Sequence, residues 1–72
     1  MKRYTVFELH NAAADHFAQS RNFRPSHCDV RCVCNDILDS YARDGYAVPH
    51  HYSQDKAHKE VCKILANCAV EQ

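Results

Sequence analysis

Apolar residues recur along this chain in three blocks, each at helical spacing. Val6, Leu9, Ala13 and Phe17 fall three or four positions apart. At about 100° per residue they form one stripe. Val30, Cys34, Ile37 and Tyr41 make a second stripe, flanked by Val33 and Leu38. Ala57, Val61, Ile64, Leu65 and Cys68 make a third, with Lys56, Lys59 and Lys63 on the opposite side. Period-two alternation is weak throughout, and the best β run, residues 4–9, carries helix-start signals instead.

Those start signals are specific. Thr5 and Glu8 have the spacing of a capping box, in which each side chain satisfies a free amide of the first turn. Tyr4 and Leu9 occupy the positions of a hydrophobic staple around it. Pro25 precedes Ser26, and Ser26 with Asp29 repeats the box. The single glycine, Gly45, suits a helix stop. The pattern predicts helices over about 5–20, 26–44 and 53–70, joined by a connector at 21–25 and a loop at 46–52. Tyr46 and Val48 of that loop are expected to fold back on the core. The expected fold is all-α, a small antiparallel three-helix bundle forming one domain over residues 1–72.

Composition changes this picture in one respect. Leu, Ile, Val and Phe together number only 14 of the 72 residues. So few large apolar side chains place the chain near the edge of independent folding. Cancelling charges, nine basic against nine acidic, keep it away from the disordered class. A metal, a second copy of the chain or a larger protein partner would supply the missing stabilisation. Met1-Lys2-Arg3 is basic, but no apolar stretch follows, so no secretory leader is read. No run approaches the ~18 apolar residues of a membrane span. A cytoplasmic location with reduced thiols is expected, and no membrane association.

The five cysteines divide by helical phase. Cys34 and Cys68 lie in core stripes and read as small buried hydrophobes. Cys28 and Cys32 lie one turn apart on the polar side of the second helix, with Asp36, Asp39 and Arg43. Free cysteine is among the most buried residue types, so an exposed pair asks for an explanation. One explanation is metal: Cys28 and Cys32 with His58 and Cys62, also at i, i+4, would make a Cys₃His zinc site. Another is reactivity, with Cys28 in the first helical turn, His27 beside it and Cys32 as a resolving thiol. A third is cover by another protein chain, or by the Phe23 or Tyr46 connectors.

Remaining constellations are weaker. His50-His51 offers a loop pair, and His10 and His16 read as boundary residues with an apolar body and a wet tip. Arg21, Phe23 and Arg24, with Lys56, Lys59 and Lys63, would be the surface of a nucleic-acid binder. Zero net charge argues against that class, whose footprint is normally basic. One glycine permits no phosphate-binding loop, and the Asp36/Asp39 pair is ordinary on a helix surface. The sequence therefore leads to a non-enzymatic adaptor, inhibitor or regulator that docks on a larger protein through Cys28, Cys32, Asp36, Asp39 and Arg43. No cofactor is required by that reading. A zinc-stabilised module, a homodimer and a nucleic-acid accessory protein are the alternatives.

Overall fold

The computed structural model describes residues 5–47, 49 and 52–70, with side chains as far as residue 68. The expectations placed on Tyr4, Val48, His50 and His51 lie outside the described residues. Three helices follow one another: α1 Val6–Gln19, α2 His27–Arg43 and α3 Gln54–Val70. Each packs against both others, and no strand occurs among the described residues.

The helix starts are set by the expected caps. The Glu8 amide donates to Thr5 Oγ1 at 3.1 Å, and the Thr5 amide donates to Glu8 Oε2 at 3.2 Å. Ser26 and Asp29 repeat this reciprocity at 3.1 and 3.4 Å. At the third start only half the box forms. The Lys56 amide donates to Ser53 Oγ at 3.2 Å, but lysine has no acceptor to return to the cap amide.

Both of the first two helices end in a Schellman motif. After α1, the Asn22 amide donates to the Phe17 carbonyl and the Arg21 amide to that of Ala18. After α2, Tyr46 donates to Tyr41 and Gly45 to Ala42. The left-handed residue is Gly45 in the second motif and Arg21 in the first. The expected stop at Gly45 is thus met, and a second of the same geometry is built without glycine.

The core combines alanine, cysteine and valine with a few larger side chains. Leu9, Ala13, Ala14 and Phe17 of α1 meet Val30, Cys34 and Tyr41 of α2 and Ala57, Val61 and Leu65 of α3. Alanines on α1 and α3 leave room for close helix approach but contribute little apolar area. Phe23, Tyr46 and Tyr52 from the connectors pack against it.

The second connection departs from a strict up-and-down arrangement. Such an arrangement would place the start of α3 beside the end of α2. Instead, His27 meets Asp55, and the Pro25 carbonyl meets His58, so the starts of α2 and α3 are neighbours. Tyr52, just before α3, lies beside Cys34 halfway along α2. The chain is thus back beside the middle of α2 by Tyr52, before α3 begins.

Candidate functional site

The outer side of α2 carries the expected stripe. Cys28, Cys32, Asp36, Asp39 and Arg43 recur at intervals of three or four, and all five are exposed. Their phase follows from the inward stripe: Val30, Cys34 and Tyr41 are buried, so residues displaced around the helix from them face water. Cys28 and Cys32 are free thiols, and the Phe23 and Tyr46 connectors, packed on the core, do not cover them.

Beside this stripe, a groove of about 400 Å³ runs between α1 and α2. Half-buried Ala12, Val33 and Ile37 supply its apolar surface. Exposed Asp15, His16, Gln19 and Asp36 supply its polar edge. The His16 ring stands edge-on to Phe17, with centroids 5.5 Å apart and planes at 85°, which ties the groove to the core. No lysine or arginine lines it. Asp36 belongs to both the groove and the stripe. The sequence reading named Asp36 but missed the groove, because its other wall comes from α1.

The four candidate zinc ligands are not gathered. His58 and Cys62 meet, with Cys62 Sγ 3.6 Å from His58 Nε2, and both are half-buried. Cys28 and Cys32 stand exposed on α2 instead. Helical phase is the reason: His27 shares the stripe of Val30 and Cys34, so His27 turns toward α3 where Cys28 was expected. The His27 and His58 rings lie 5.1 Å apart, and His27 Nε2 donates to Asp55 Oδ1 at 2.9 Å. A carbonyl only accepts, so the 3.3 Å contact with Pro25 places the proton of His58 on Nε2. In that tautomer the nitrogen facing Cys62, Nε2, is not the one free to ligate. Among the described residues, no group of three or more His, Cys, Asp or Glu side chains is arranged to hold a metal ion.

Other expectations divide. Arg21, Arg24, Lys56, Lys59 and Lys63 are exposed as expected. Phe23 is half-buried and packs against the core. Cys34 is fully buried, as its phase required, and Cys68 is half-buried. Burial pushes the Cys34 thiol up, and the neighbouring Tyr52 hydroxyl pulls against that shift. His16 is exposed, but His10 is a correction. It is 5% exposed, and its Nε2 has no hydrogen-bond partner among the described residues. Burial holds its pKa below the ordinary value, opposed by nearby Glu60 and reinforced by Lys56. The missed signal is spacing, since His10 stands four and seven residues before Ala14 and Phe17 in the same stripe.

Among the described residues, no helix is long and apolar enough to cross a membrane. The chain matches no family model, no curated protein sequence and no solved structure.

Proposed function

We propose that this protein is a non-enzymatic helical adaptor, inhibitor or regulator that docks the outer side of α2 on a larger protein. One observation carries the reading. Two free thiols, Cys28 and Cys32, lie exposed in line with exposed Asp36, Asp39 and Arg43. Cysteine is among the residue types most often buried, and a covering chain accounts for a solvent-facing pair. The small number of large apolar residues, 14 Leu, Ile, Val and Phe among 72, points the same way, because a partner would add burial. The charged residues would then give register and selectivity more than raw affinity.

The test is charge reversal on that stripe. Asp39→Arg and Arg43→Glu are compared with the wild type by affinity capture from the producing cells, read by quantitative mass spectrometry. Circular dichroism is recorded on the same samples. The expected result is one protein retained by the wild type and lost from both variants at unchanged helicity. Equal retention by all three would remove this surface from consideration.

A further inference from the structure

We infer that the groove between α1 and α2 receives one apolar side chain of the partner protein, flanked there by lysine or arginine. This deepens the docking reading and rests on it; the groove adjoins the α2 stripe and shares Asp36 with it. The groove holds about 400 Å³, near the low end of the roughly 300–1,000 Å³ of small-molecule sites. A cavity of about 150 Å³ already holds a benzene ring, so a leucine- or phenylalanine-sized group fits with space for a flanking side chain. Ala12, Val33 and Ile37 offer it apolar contact. Such a pocket is where a partner's anchor residue gains most from leaving water.

The edge sets the charge of the flanking residues. Asp15 approaches from α1 and Asp36 from α2, and no lysine or arginine lines the groove. Neither carboxylate forms an ion pair with a described residue. Two exposed, unneutralised carboxylates on opposite walls favour a cation beside the anchor and disfavour an acidic segment or a nucleic-acid backbone.

Two small probes separate the terms. The 2-phenylethylammonium ion and 3-phenylpropionate carry the same ring with opposite charge. Each is titrated into the ¹⁵N-labelled full chain and followed by amide shifts. The expected result is saturable movement of Ala12, Gln19, Val33 and Ile37 with the cation, and binding about tenfold weaker with the carboxylate. Asp15→Asn should weaken the cation severalfold without moving the rest of the spectrum. Added salt should narrow the difference between the probes. Equal binding of the two probes, movement centred elsewhere, or no movement would overturn the inference. Those failures leave the Asp39 and Arg43 capture result untouched, so the two readings fail separately.

Discussion

Arg21 and Gly45 occupy the same station in two helix ends. Each is the second residue past its helix, each has positive φ (59° and 86°), and each sits inside the same pair of backbone hydrogen bonds. Glycine reaches this region freely, whereas an L side chain pays about 1–2 kcal/mol to enter it. Arg21→Gly should therefore stabilise the protein by about 1 kcal/mol, partly offset by the greater freedom of glycine in the unfolded chain. Gly45→Ala should destabilise it by about the same amount. A methyl group at Gly45 would meet nothing within 4 Å, so this cost is one of backbone conformation alone. Urea denaturation midpoints of the two variants check the pair, and shifts of the same sign would contradict the assignment.

His10 makes stability depend on pH. Its folded pKa lies below its ordinary value of 6.5, chiefly because burial disfavours the charged ring. The unfolded chain then binds the extra proton first, so this contribution is complete above about pH 6.5 and is lost as pH falls below it. His10→Leu should flatten the stability profile between about pH 7 and pH 5. It should also stabilise the neutral protein by about 1 kcal/mol, since it removes a buried nitrogen without a described partner. Thermal melts of both proteins across that range are the measurement, and an unchanged slope would contradict the burial of His10.

Thiol accessibility should fall into classes. Cys28 and Cys32 are exposed, Cys62 and Cys68 half-buried, and Cys34 closed off beside the Tyr52 hydroxyl. Iodoacetamide labelling of the native protein, located by peptide mass spectrometry, should mark Cys28 and Cys32 first. Cys34 should react only when the chain unfolds. Early labelling of Cys34 would mean that α2 is rotated from the position described.

What the sequence made legible was local. The boxes at Thr5 and Ser26 depend on residues three apart, so spacing alone located two helix starts. The inward stripes of Val30, Cys34 and Tyr41, and of Ala57, Val61 and Leu65, follow from helical period. What was hidden depends on how the helices meet. His10 reads as a boundary residue from its own helix, and only the packing of α3 buries it. The half-burial of Phe23 likewise depends on how the connector meets the core. The zinc set failed on phase, because His27 rather than Cys28 turns to α3. The placing of the start of α3 beside the start of α2 has no spacing signal, since a connection of that length fits several arrangements. The groove joins Asp15 and Asp36, which are far apart in sequence, and only the packing of α1 on α2 brings them together.

Native mass spectrometry of the protein isolated gently from its own cells tests the central claim most directly. The account predicts the 8.3 kDa chain, free of zinc, bound to a different and larger protein, with the Asp39→Arg variant recovered alone. A zinc-loaded chain, a homodimer, or a solitary wild-type monomer would contradict it.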